Sequence, residues 1–145
     1  MRGRLIGVDP GEKRIGLAVS DPSGTIARAL RIVEHSARMV DAAQIAAAAL
    51  EMQAEGIVVG QALDDEGNPT PEGRKAARLA EAIRSQTNLP VEMWDESYST
   101  QTAREIRIAM GVNRRKRSGH LDELAAAIIL QSYLDAHAGQ EERTS

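Results

Sequence analysis

An apolar run, Leu5-Ile6-Gly7-Val8, closes on the carboxylate of Asp9, and an alternating segment, Arg14–Ser20, follows after a turn containing Gly11. No other feature constrains the fold as tightly. Ile15, Leu17 and Val19 fall on one face of that second segment, and Gly16, Ala18 and Ser20 on the other, which is the period of a strand. Two strands joined this closely pair antiparallel. The acid at the end of the first is costly to ionise beside apolar neighbours unless something compensates it. A metal ion, or a phosphate carrying one, would do so. Hydrolase or phosphoryl-transfer chemistry is therefore the first candidate.

The rest of the chain extends the pattern. Asp21-Pro22-Ser23-Gly24 suits a type I turn, and Thr25–Val33 resumes as a third strand of an antiparallel meander. Ser36 is an N-cap candidate for an Ala-rich helix over 37–54, with Gly56 beyond it. Ile57-Val58-Val59 reads as a strand covered on both faces. A polar loop over 60–69 leads to Thr70-Pro71, the N-cap and first residue of a helix reaching about residue 87. Val91–Trp94 is a further strand. Ser99 or Thr100 caps a helix ending near Gly111, a basic loop spans 112–119, and an amphipathic helix covers 120–137. The expected class is α/β: a mixed five-stranded sheet, a three-stranded meander and then βα units, flanked by helices. One domain over 1–138 and a frayed polar tail over 139–145 are expected.

Composition narrows the chemistry. The 145 residues fit one core, and with no Phe, one Trp and two Tyr that core is aliphatic. The absence of cysteine excludes disulfides and thiolate metal sites. Met1-Arg2-Gly3-Arg4 is basic, but no apolar stretch follows, so a cytoplasmic protein without a secretory signal or membrane span is expected. A net charge of −3 argues against a nucleic-acid footprint over the whole surface, yet Arg114-Arg115-Lys116-Arg117 is a dense local one.

Three acidic positions share a setting. Asp9 ends the first strand, Asp95-Glu96 follow the strand Val91–Trp94, and Asp122 opens the last helix. Each has an ordinary explanation. Asp122 suits a helix dipole, and an acid after a strand is often a turn residue. As a set they can converge at one end of a sheet, where oxygen ligands of this kind suit Mg²⁺ or Mn²⁺.

Three blocks resemble the YqgF/RuvX family, whose members are named as pre-16S rRNA nucleases or Holliday-junction-resolvase-like proteins. They are Gly7–Asp21, Trp94–Thr100 and Leu121–Leu134, and the resemblance spans about residues 4–135. It implies an RNase H-like fold with Asp9, Glu96 and Asp122 as catalytic, metal-binding acids and Asp95 as a bystander. It also implies processing of the 16S rRNA 5′ end in the cytoplasm, with structured RNA as partner. Two positions depart from the pattern. Ser97 stands where the family usually has Arg, which removes a guanidinium able to hold phosphate. Gln61-Ala62 replaces a Pro-containing pair.

Beside this constellation, Arg114, Arg115, Lys116 and Arg117 form either a solvated charge run or a phosphate contact. Lys13 and Arg14 carry the same two readings next to Asp9. Tyr98 is expected to be partly buried, with base stacking as the alternative, and Trp94 to be core. His120 stands two residues before Asp122, either incidental to the helix start or a proton shuttle. Asp64-Asp65-Glu66-Gly67 does not keep the spacing of a calcium loop.

Three classes of function fit these residues. The first is a metal-dependent endonuclease processing pre-16S rRNA, with a Holliday-junction-resolvase-like DNA nuclease as its variant. The second is a weakly active or inactive RNA-binding module of the same fold, left open by Ser97. The third is an ATP-binding domain of the actin type, suggested by Asp9-x-Gly11, which requires two such halves where this chain supplies one. A resolvase acting on branched DNA would be a homodimer, whereas a processing nuclease could act as a monomer.

Overall fold

A computed structural model describes residues 3–99 and 121–144; at 121–123 and 139–144 the description covers the backbone only. Five strands form one mixed sheet in the order β3-β2-β1-β4-β5: β1 (Leu5–Pro10), β2 (Arg14–Ser20), β3 (Ala27–Glu34), β4 (Gly56–Gln61) and β5 (Val91–Asp95). β1, β2 and β3 are the expected antiparallel meander, and β4 and β5 run parallel to β1. Helices α1 (Arg38–Glu51) and α2 (Pro71–Arg84) cover one face. Helix α3 (Leu121–Thr144) covers the other.

Strand alternation sorts the core into two layers. Ile6, Val8, Ile57, Val59 and Val91 pack under Ile45 of α1 and Leu79 and Ile83 of α2. Leu5, Ala18 and Val58 pack under Ala126, Leu130 and Tyr133 of α3. Both layers are aliphatic but for Tyr133, which is 2% exposed. Gly7 lets α3 approach the sheet: a Cβ there would lie 2.7 Å from Leu130 Cβ and 3.2 Å from the Ala126 carbonyl.

Local signals decide the structure where side chains act on their own neighbours. Thr70 caps α2, its Oγ1 accepting from Gly73 N–H at 3.1 Å, and Pro71 is the first helical residue. β2 has the expected bounds. β3 begins two residues late because the Thr25 and Ile26 N–H groups donate to Asp21 Oδ1 at 2.8 and 2.9 Å instead of joining the ladder. α2 stops at Arg84, three residues short of its expected end.

Ser36 is not the cap of α1. Ala37 holds that position without a side-chain hydrogen bond, and the helix runs 38–51. Asp41, 2% exposed, reaches back from the first turn to accept from Ser36 N–H at 3.0 Å and meets His35 Nδ1 at 2.5 Å. A buried carboxylate needs such partners. α3 continues through Gly139 to Thr144, beyond the expected end at 137. Gln140, Glu141, Glu142 and Arg143 are good helix formers that offset the roughly 1 kcal/mol cost of one glycine. The helix expected to end near Gly111 and the basic loop lie outside the described residues.

Candidate active site

Asp9 is placed by β1. Gly7 faces α3, and two residues on, Asp9 returns to that same face. Its antiparallel partner is Gly16 on β2, and on the other side β1 runs beside β4 with Val8 opposite Val59. The carboxylate-bearing residue is thus held by a strand paired on both edges. It is half-buried.

Glu96 is placed by β5 and the single 3-10 turn Glu96–Ser99 that follows it. In β5, Glu92 and Trp94 face α3, bonding to Tyr133 and Ser132, while Met93 packs under α1 and α2. Asp95 follows on Met93's side, and its Oδ1 accepts from Ser97 N–H at 2.9 Å, the geometry of a turn-forming aspartate. Glu96 comes back to the α3 side. Its Cγ lies 3.4 Å from where a Cβ on Gly60 would be, beside Ile129 of α3.

Gly60 belongs to β4, one residue past the Val8–Val59 pair, so it stands level with Asp9. Two acids therefore flank a residue without a side chain, on one face of the sheet. Burial, and then the neighbouring Asp95 charge, raise the Glu96 carboxyl above the usual carboxylate range. Ionised oxygens gathered in a half-dry setting are the donor set that Mg²⁺ or Mn²⁺ takes.

The third expected acid arrives from α3. Along β5 from Glu92 to Trp94, the α3 partners descend from Tyr133 to Ser132, so the helix runs antiparallel to the parallel strands. From Gly7 to Asp9 a strand advances about 6.6 Å, which a helix covers in about four residues. Counted back from the two contacts of Gly7, Leu130 and Ala126, the level of Asp9 falls between Ala126 and Asp122, in the first turns of α3. The side chain of Asp122 lies outside the described residues. Among the described residues, no group of three His, Cys, Asp or Glu side chains is close enough to hold a metal ion.

Of the expected phosphate contacts, Lys13 and Arg14 are among the described residues. Lys13 sits in the β1–β2 turn and borders a 610 Å³ cavity on the side of α1 and α2, with Arg38, Asp41, Lys75 and Arg78. Its carbonyl accepts from His35 N–H at 2.9 Å. The acids and this cavity thus lie on opposite sides of one turn. Arg14 is exposed at the start of β2, paired with Glu34 in register. Arg114, Arg115, Lys116 and Arg117 lie outside the described residues, as does His120.

Two positions differ from expectation. Tyr98 is 63% exposed where partial burial was expected. Gln61 and Ala62, which replace the Pro-containing pair, dock on α2: Gln61 Nε2 donates to the Gly73 carbonyl at 3.1 Å, and the Ala62 carbonyl accepts from Thr70 N–H at 3.1 Å. The sequence carries no signal for that docking, because it joins a loop to a helix start across eight or more residues.

Comparison with known proteins places this arrangement in context. Residues 3–136 match the family model RuvX, described as Holliday junction resolvase. A protein of Syntrophus aciditrophicus named "Putative pre-16S rRNA nuclease" is 41% identical over 133 residues, 92% of this chain and 89% of its own length. One of the same name from Clostridioides difficile is 38% identical over 133 residues, covering 92% and 94%. Among solved structures, T. thermophilus RuvC in complex with a Holliday junction substrate superposes with a TM-score of 0.62 at 20% identity, over 95% of this chain and 97% of that one. The fowlpox virus resolvase in complex with Holliday junction DNA gives 0.54 at 13% identity, over 92% and 97%. The fold is RNase H-like.

Proposed function

The chain belongs to the RuvX family, and on that premise we propose that it is a metal-dependent endonuclease hydrolysing phosphodiester bonds, with the 5′ end of pre-16S rRNA as its substrate in the bacterial cytoplasm. The observation that carries the reading is that Asp9 and Glu96 share the α3 face of the sheet, on the strands beside Gly60. The names of the curated relatives support RNA as substrate.

Asp9, Glu96 and Asp122 would hold Mg²⁺ or Mn²⁺. When bound, the ion supplies Lewis acidity at the scissile phosphate and offsets its charge. The chain's own part is positional. β1, paired on both edges, keeps Asp9 from moving as charge shifts at the phosphate. Glu96 takes the space left open by the missing side chain of Gly60. Asp95, committed to its turn, contributes charge rather than an oxygen ligand. The missing arginine at Ser97 shifts phosphate neutralisation to other basic groups, for which Arg114–Arg117 are the candidates.

The test is cleavage of a labelled pre-16S 5′ leader with Mn²⁺, Mg²⁺ or EDTA, beside Asp9→Asn and Asp122→Asn, with a four-way DNA junction in parallel. Metal-dependent cutting of the leader, abolished in both variants, is expected. Preferential cutting of the junction would replace RNA processing with resolution by a homodimer. Binding without cutting of either would replace the enzyme with an RNA-binding module.

A further inference from the structure

The sequence holds three aromatic side chains, Trp94, Tyr98 and Tyr133, and the fold brings all three together with His137, Tyr98 from the turn that begins at Glu96. The inner rings are locked. Tyr133 donates to Glu92 and stacks on His137 with centroids 4.0 Å apart and planes at 24°. Trp94 meets Tyr133 edge-on at 5.2 Å, and its Nε1–H donates to Ser132 Oγ at 2.9 Å. Tyr98 is the outer ring, 5.1 Å from Trp94 and tilted at 42°. Among the described residues its hydroxyl has no hydrogen-bond partner.

Stability does not call for this ring, since a side chain 63% exposed buries little of its area. Its position is distinctive. Glu96 and Tyr98 share one 3-10 turn, and two residues of such a turn advance about 4 Å. A nucleic-acid strand led past Glu96 therefore passes the Tyr98 ring in the same turn. An aromatic face open to water on a braced support is what base stacking needs.

We propose that Tyr98, supported by Trp94, is a stacking site for an unpaired base of the strand that runs past Glu96. The assignment rests on the nuclease reading for which strand is bound, and on the exposed ring for the stacking itself. It names the substrate class: a strand whose bases are out of the duplex next to the cut, since a base paired and stacked in a helix has no free face to offer.

The experiment uses the full chain in EDTA, so that nothing is cut, with single-stranded RNA and DNA of one sequence carrying a single 2-aminopurine, and the same RNA as a duplex. Stacking quenches the probe. Wild type and Tyr98→Phe should quench both single strands, and Tyr98→Ala should lose the quench and bind about 5- to 140-fold more weakly. The duplex should show no dependence on Tyr98. Unchanged melting of Tyr98→Ala is expected from its exposure and separates a missing stacking partner from a failure to fold. Equal binding and quenching by Tyr98→Ala overturns the site, as does a wild type that quenches neither single strand. A wild type that quenches yet cuts nothing with metal leaves the stacking site standing and removes the nuclease reading.

Discussion

Gly60 and Glu96 meet across the junction of β4 and the turn after β5: a Cβ on Gly60 would lie 3.4 Å from Glu96 Cγ. The same Cβ would lie 2.7 Å from Ile129 Cδ1, the free end of a side chain that can rotate away. Gly60→Ala should therefore fold with little change in stability. Metal-dependent cleavage should stay close to the wild-type level, because Glu96 Cγ at 3.4 Å is in ordinary contact with the added carbon and is not displaced by it. Melting and kcat measured side by side check this. A large loss of kcat at unchanged melting would show that Glu96 moves when the space at Gly60 is filled.

Gly7→Ala makes the complementary case. Its Cβ would press on Leu130 Cβ at 2.7 Å and on the Ala126 carbonyl, atoms near or in the helix backbone that cannot turn aside. Overpacking of this kind costs about 1–3 kcal/mol, and urea unfolding of the variant should show a lowered midpoint with an unchanged slope.

Asp41 ties the start of α1 to the loop before it. Asp41→Ala removes the carboxylate that the Ser36 N–H and the His35 ring share, and both of those groups are exposed enough to bond to water instead. The expected destabilisation is about 0.5–1.5 kcal/mol by chemical denaturation. Ser36→Ala should be nearly silent, since the Ser36 side chain does not cap the helix.

Asp21 governs the β2–β3 turn. The Ile26 N–H, the Ser23 hydroxyl and the Thr25 N–H donate to its carboxylate and hold its pKa well below the usual range. A depressed folded-state pKa stabilises above the unfolded value, and that stabilisation fades as pH falls towards the folded one. The melting difference between wild type and Asp21→Ala should thus be full above about pH 5 and narrow below about pH 4. A difference that widens on acidification would contradict the assignment.

Neutralising Arg114, Arg115, Lys116 and Arg117 together should weaken RNA binding and flatten its salt dependence. The log–log slope should fall by about 0.7 for each phosphate that the run neutralises in the wild type. An unchanged slope, measured by titration at several salt concentrations, would return the run to a solvated face.

Much of the architecture is legible in the sequence because its causes are local. The alternation from Arg14 to Ser20, the Thr70-Pro71 helix start and the short connection through Gly11 each act within a few residues, and each element forms where its own side chains require. The cap of α1 shows where local type is not enough. Ser36 is a good cap by residue type, but Asp41 is buried there and takes the Ser36 N–H for itself.

By itself the sequence determined the element types, the meander followed by parallel strands, the aliphatic core and, through resemblance to a family, which acids to consider. Only the tertiary structure decided which of Asp95 and Glu96 shares a face with Asp9, because that depends on how β5 lies between β4 and α3. It also decided that Tyr98 is open to water while Trp94 and Tyr133 are braced beneath it. The physical reason is range. Periodicity and capping act between residues a few positions apart. Facing, burial and the approach of α3 over Gly7 and Gly60 are set by segments from 36 to more than 100 residues away, and they exist only once the sheet and its helices have closed on each other.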